Sequence, residues 1–284
     1  KLTVESIQES KTNIIKTGYG QVDQLSGGLT RKEISIIGGR PGHGKTTFML
    51  NLIKNLVDSK YKVLVFNREM SNVEMMKKLI VLEGDDISYS LVRKGITSQE
   101  DYNNILKSKA IIDKKYNAEK FLMYDNIPDF NSAVLEAKKY KPDIIFDDYI
   151  QLIGGMDNID GRRFQLETIV HGYKWLAKQL NCVVVCVSQL NRAMETRGNP
   201  IPMLSDLAES GAIEQVAENV MFVFNESKIK SDAKKHILKI ISAKVRYGNT
   251  GISHLGYEGD KVKIYQNEED WYKQTKYSEE IKIG

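Results

Sequence analysis

Two kinds of hydrophobic pattern alternate along the chain. Short, mostly apolar runs occur at EISIIG (33–38), KVLVFN (62–67), FLMYD (121–125), DIIFD (143–147), CVVVCVS (182–188), NVMFVF (219–224) and HILKIIS (236–242). These predict strands. Between most of them lie longer stretches (45–57, 72–83, 98–116, 130–140, 162–180), where helical patterning predicts helices, most clearly over 162–180. Strands that are apolar throughout need cover on both faces, and interleaved helices supply it. The pattern therefore predicts an α/β fold with a central, mostly parallel sheet flanked by helices. Residues 251–273 read as a β-hairpin at the sheet edge, turning at Glu258-Gly259-Asp260. Three segments follow: a charged lead-in (1–14) read as a linker or docking arm, one α/β domain (15–268), and a polar, loose tail (269–284).

Composition narrows the class. At 284 residues, 41% hydrophobic and 27% charged, the chain suits a soluble globular protein with a substantial core. No apolar run approaches the roughly 20 residues of a membrane helix, so no membrane partner is expected. The net charge of +4 is too mild to demand nucleic acid, and any cationic surface must be locally concentrated. Cys182 and Cys186 share an apolar strand, where a disulfide is geometrically poor, and two ligands are too few for a metal site. They read as core residues in a reducing, cytoplasmic setting. The polar opening KLTVESIQES carries no leader and no initiator Met, as expected of a fragment or a processed chain.

The densest chemistry follows the first strand. GGRPGHGKTT (38–47) places Gly39-x-x-x-x-Gly44-Lys45-Thr46 between a strand and a helix. In that setting backbone N–H groups of Gly39, Arg40, Pro41, Gly42, His43, Gly44, Lys45, Thr46 and Thr47, proline excepted, curl around phosphate oxygens. Lys45 supplies a point charge to the β- and γ-phosphates, and the Thr46 hydroxyl a ligand to Mg²⁺. His43 reads as a spacer in this loop. The strand DIIFDDY ends in paired acids. Asp148 is the preferred acid for the metal, with Asp147 its competitor. Glu69, in NREMS, stands just past a strand end, where open α/β sheets place their sites. By position alone it reads equally as a helix-capping acid or as a base that orients water. Lys244 and Arg246 are one residue apart at the end of a strand, so both reach off one side.

Six stretches in order carry a resemblance: GRPGHGKTT, FNREMS, DDYIQL, SQLNR (188–192), PMLSDLAESGAIEQVAENVMF (202–222) and AKVRYGNTG (243–251). From TGYGQVDQLSGGL (17–29) to about residue 265, the chain resembles the C-terminal, RecA-like motor domain of DnaB-type replicative helicases. The resemblance implies a RecA-like P-loop fold and a homo-hexameric ring with ATP and Mg²⁺ held between subunits. It implies translocation 5′ to 3′ on single-stranded DNA with duplex unwinding, and a primase and a helicase loader as further partners. It places the catalytic glutamate on Glu69, the metal aspartate on Asp148 and the γ-phosphate-sensing glutamine on Gln189. Lys244 and Arg246 fall on the cations that reach the nucleotide of the next subunit.

The resemblance also implies two loops that face the DNA. The first, 154–163, offers Arg162 and Arg163. The second, 193–211, offers Arg197, Glu209, Ser210 and Gly211, with backbone N–H groups to hold phosphates without reading bases. Ala208 stands where the family usually carries an arginine, which removes one charge-assisted phosphate contact. Two other functions share the phosphate loop: a recombinase-like ATPase that forms filaments on single strands, and a ring scaffold gated by nucleotide without unwinding.

Overall fold

The computed structural model describes residues 13–84, 87–95, 98–155, 159, 161–192, 194, 197–207 and 211–283. The expected lead-in therefore lies mostly outside the described residues. In chain order the elements are β1 (Ile14–Ile15), α1 (Gly20–Ser26), β2 (Leu29–Thr30), β3 (Ile34–Gly39), α2 (Lys45–Asp58), β4 (Val63–Asn67) and α3 (Asn72–Glu83). There follow α4 (Tyr89–Lys94), α5 (Gln99–Lys115), β5 (Phe121–Tyr124), α6 (Phe130–Tyr140), β6 (Ile144–Asp148) and α7 (Arg162–Leu180). The last are β7 (Val183–Gln189), α8 (Gly211–Val216), β8 (Asn219–Phe224), β9 (Ile237–Val245), β10 (Gly251–Glu258), β11 (Lys263–Tyr265) and α9 (Glu268–Ile283).

Nine strands form the main sheet in the order β11-β10-β9-β8-β3-β7-β6-β4-β5. The six from β8 to β5 run parallel, as fully buried strands joined by helices should. β9, β10 and β11 are antiparallel and close one side, with the expected hairpin at the edge. Alternate side chains feed two separate cores. Val63 and Val65 join Ile37, Phe48 and Leu79 on the face covered by α2 and α3. Leu64 and Phe66 join Ile36, Phe130 and Tyr173 on the face covered by α6 and α7. Cys182 and Cys186 are both buried and unpaired, in the second core.

Local signals set the helix starts. Ser71, Ser98 and Asp129 each accept a backbone N–H from the first turn of α3, α5 and α6. α2 differs: it begins at Gly44 in a left-handed conformation, with no side-chain cap. Polarity of the sheet then fixes the site. The C-terminal ends of β3, β4, β6 and β7 all open on one edge. β9 runs the other way, so Val245 pairs with Asn219 at the opposite edge.

Three short helices, α1, α4 and α8, are not predicted by the hydrophobic pattern. α1 lies against the start of β10, where the Leu25 carbonyl accepts the Asn249 N–H at 2.8 Å. A Cβ on Gly248 would fall 2.2 Å from that same oxygen, which explains the glycine there. The tail is a correction. Instead of a loose segment, Glu268–Ile283 is helical. Its first turn is docked: Trp271 stacks on His236 with centroids 4.1 Å apart, and Glu268 bonds both His236 and Lys234.

Candidate nucleotide site and nucleic-acid interface

The phosphate loop leaves β3 at Gly39 and enters α2 at Lys45. Gly42 and Gly44 have φ of 77° and 98°, a region that side chains with a Cβ disfavour. The turn aims the uncapped N–H groups of α2 outward, at the positive end of the helix dipole. Lys45 is 8% exposed, and its Nζ donates to the Arg40 carbonyl at 3.2 Å. Burial draws its pKa down, while the charges of Asp148 and Glu69 oppose that shift. Arg40 is also buried and donates to the Leu190 carbonyl, tying the loop to the end of β7. His43 is built into the wall: it stacks on Phe224, and its Nδ1 accepts the Asn225 N–H. The Tyr257 hydroxyl would stand 3.8 Å from a Cβ on Gly44, so β10 packs against the start of α2.

The paired acids of β6 part company, as neighbours on a strand must. Asp148 turns toward the loop, and its Oδ2 accepts the Thr46 hydroxyl at 3.3 Å. Its Oδ1 is buried and has no partner. Burial, and then repulsion from Glu69, push its pKa up to about 6. Asp147 turns into the core and takes two bonds from Arg68, at 2.7 and 2.9 Å, and one from the Tyr173 hydroxyl. Of the two acids, Asp148 is the one beside Thr46. A hydroxyl and an unpartnered carboxylate oxygen are hard donors of the kind Mg²⁺ takes, so these two residues fit a magnesium ion. Among the described residues no cluster of three His, Cys, Asp or Glu side chains suits another metal centre.

Glu69 is exposed, and its charge is felt by Asp148, Lys45 and Lys78. It does not cap α3, because Ser71 does. Gln189 sits directly across from Gly39 in the β3–β7 register. Its backbone N–H donates to Gln151, whose amide nitrogen donates to the Ser188 hydroxyl.

The cations assigned to DNA differ in their surroundings. Arg162 is engaged with its own loop, donating to the carbonyls of Gln151 and Ile153. Arg197 forks onto Asp206 at 2.8 and 2.7 Å. Arg163 is exposed, and a Cβ on Gly211 would stand 3.1 Å from its Nη2, so the two expected loops abut there. Glu209, Ser210 and Ala208 lie outside the described residues.

Lys244 and Arg246 emerge at the far edge of the sheet. The Lys244 Nζ donates to the Glu214 and Gln215 carbonyls near the C-terminal end of α8. Arg246 is 57% exposed and donates to Glu218 Oε1 at 3.1 Å.

Sequence reading missed three features of the site. Lys78, in the Lys-Lys pair of α3, is not singled out in the sequence, yet burial lowers its pKa beside Asp148 and Glu69. The Arg68–Asp147 pair joins residues 79 apart. The buried Glu218 sits in a polar stretch with no periodic signal.

Comparison with known proteins agrees with this geometry. A family model described as the DnaB-like helicase C-terminal domain matches residues 14–266. The replicative DNA helicase DnaB of Rickettsia prowazekii is 32% identical over 285 residues, covering 88% of this chain and 57% of that protein. DnaB of Geobacillus stearothermophilus is 31% identical over 252 residues, covering 86% of this chain and 54% of that protein. The chain thus spans a little over half the length of these curated relatives. A solved structure of a DnaB-like replicative helicase, described with its interactions with primase, matches with a TM-score of 0.83 and 28% identity. It covers 93% of this chain and 65% of that one. A solved ATPase domain matches with the same TM-score and identity over 93% of this chain and 95% of its own. With its phosphate loop, its paired acids and its sheet order, the chain belongs to the DnaB-like helicase C-terminal domain family.

Proposed function

We propose that this chain is the ATP-hydrolysing motor of a hexameric replicative DNA helicase that moves 5′ to 3′ on single-stranded DNA in the cytoplasm. One observation carries the reading: the phosphate loop and Arg246 lie on opposite edges of one sheet. The six residues of β3 alone separate those edges by about 20 Å. A protomer therefore cannot bring Arg246 to its own nucleotide. Head-to-tail packing brings it to a neighbour's, and such packing closes into rings when the rotation allows.

Within the cis site, backbone N–H groups of residues 39–47 bind the phosphates, and Lys45 moves from the Arg40 carbonyl to the β- and γ-oxygens. Thr46 and Asp148 hold Mg²⁺, which when bound offsets phosphate charge. Glu69 orients the attacking water and takes up its proton. Gln189, one strand over from Gly39, senses the γ-phosphate and passes its loss to the following loop. Arg246 and Lys244 of the neighbour stabilise charge that develops in the transition state. Arg163, Gly211 and the adjoining loop residues grip DNA phosphates, and Arg162 and Arg197 join them only by giving up their present partners. A primase and a loader are the further partners of this assembly.

The test is unwinding of a forked duplex by the purified chain, with sizing in the presence of an ATP analogue. Rings and 5′-to-3′ unwinding are the expected result. Filaments with strand exchange, or nucleotide bound without turnover on DNA, would replace this reading with one of its two rivals.

A further inference from the structure

We propose that Glu218 is a positioning residue for Arg246, setting the direction in which the guanidinium leaves the protomer. The inference rests on the trans role of Arg246 given above. Glu218 follows α8 and precedes β8, and its side chain is only 3% exposed. Its Oε2 accepts the Ile34 N–H at 3.0 Å, at the start of β3. Its Oε1 accepts both Lys174 from α7 and Arg246 from the end of β9. The Glu218 carbonyl also accepts the Arg246 N–H at 3.0 Å. One residue thus holds the backbone and the side chain of Arg246 together, and is itself fixed to the first residue of a central strand.

The arrangement suits aiming rather than burial of the arginine. A guanidinium carries five N–H donors in a rigid fork. Glu218 engages Nη1 alone, and Arg246 remains 57% exposed, with Tyr247 beside it at 5.4 Å. The rest of the fork is left to meet a phosphate. Lys174 bonds the same carboxylate oxygen, so Glu218 keeps a cationic partner beside Glu33 when Arg246 engages a phosphate. A charge-assisted bond from a buried carboxylate is stronger and more directional than one in water.

Glu218→Gln keeps the size and the acceptor for Ile34 while weakening the hold on the arginine. With the full chain and single-stranded DNA, kcat for ATP is expected to fall by about 10- to 100-fold, the scale on which misplacing a group acts. KM and nucleotide affinity are expected to stay within about twofold, because the variant's own phosphate loop is intact. Mixing with Glu69→Ala subunits, which still donate a well-aimed arginine, is expected to restore turnover. Mixing with Arg246→Ala subunits is expected to restore none, since neither partner then donates properly. A purely structural role would not follow this pattern. Glu218→Asp, which keeps the charge but withdraws it by one methylene, is the second variant should the first fold poorly, and the same pattern is expected of it. Unaltered turnover, or rescue by Arg246→Ala instead of Glu69→Ala, overturns the proposal. The mixture of Arg246→Ala with Glu69→Ala is the reference: its failure sinks the trans role itself. Its success, with no rescue of the Glu218 variants by Glu69→Ala, sinks only the inference about Glu218.

Discussion

Arg68 and Asp147 form a bidentate ion pair in the core, between the residues that immediately precede Glu69 and Asp148. Arg68 also donates its backbone N–H to the Asp148 carbonyl and one guanidinium nitrogen to the Ile127 carbonyl. The strand ends that carry the two acidic groups of the site are thereby fastened to each other. Asp147 is wholly buried, so removing Arg68 strands a charge in the core. Arg68→Leu is expected to cost about 3–5 kcal/mol in urea unfolding, and Arg68→Leu with Asp147→Leu to recover much of that. A double variant as unstable as the single one would show that the pair adds more than mutual compensation.

Asp148 makes metal-free stability depend on pH. Its pKa is about 6 in the folded chain against 3.8 for the ordinary group, so the folded state holds the proton more tightly. Stability in EDTA therefore falls as pH rises from about 4 through 6, by about 3 kcal/mol at most. Asp148→Asn is expected to raise the Tm at pH 7.5 and to lose that advantage near pH 4. A Tm gain of equal size at both values would contradict the burial argument.

Lys45→Ala should abolish ATP turnover and weaken nucleotide binding together, because in the proposed site the ammonium touches phosphate in ground and transition states alike. Arg246→Ala should spare binding by its own subunit and lower kcat by about 10³-fold or more. Fluorescent-nucleotide titration beside steady-state hydrolysis separates the two patterns. Equal loss of affinity in both variants would place Arg246 in the cis site.

The C-terminal helix contributes to the hairpin side of the sheet through Trp271 and His236. Trp271→Ala is expected to cost about 2–3 kcal/mol, less than a fully buried tryptophan because this one is partly exposed. Hydrogen exchange should quicken in β10 and β11 before the parallel strands. Unchanged exchange there would mean that the helix merely rests on the hairpin.

Strand and helix positions were legible because burial on both sheet faces writes itself into the chain as unbroken apolar runs, as at KVLVFN and NVMFVF. The phosphate loop was legible because glycine spacing has a backbone cause. α9 was not: EEDWYKQTKYSEE carries a single tryptophan and no apolar stripe, so nothing local announces where it docks. Asp147 and Asp148 could not be told apart until Arg68 was seen beside one and Thr46 beside the other. Lys244 and Arg246 were visible as a pair, but their present partners, the end of α8 and Glu218, come from a different stretch of chain. Contacts of that kind leave no periodicity to read.

The reversal of β9 against its parallel neighbours has one more consequence. Two copies related by a twofold axis could not complete both of their sites at once, because cradle and arginine would have to share a single face. If Arg246 acts in trans as proposed, every junction built from this fold has a giver and a receiver. An assembly of such junctions carries an arrow, and its two rims are chemically distinct. That asymmetry is present in the fold of the lone polypeptide before any DNA enters.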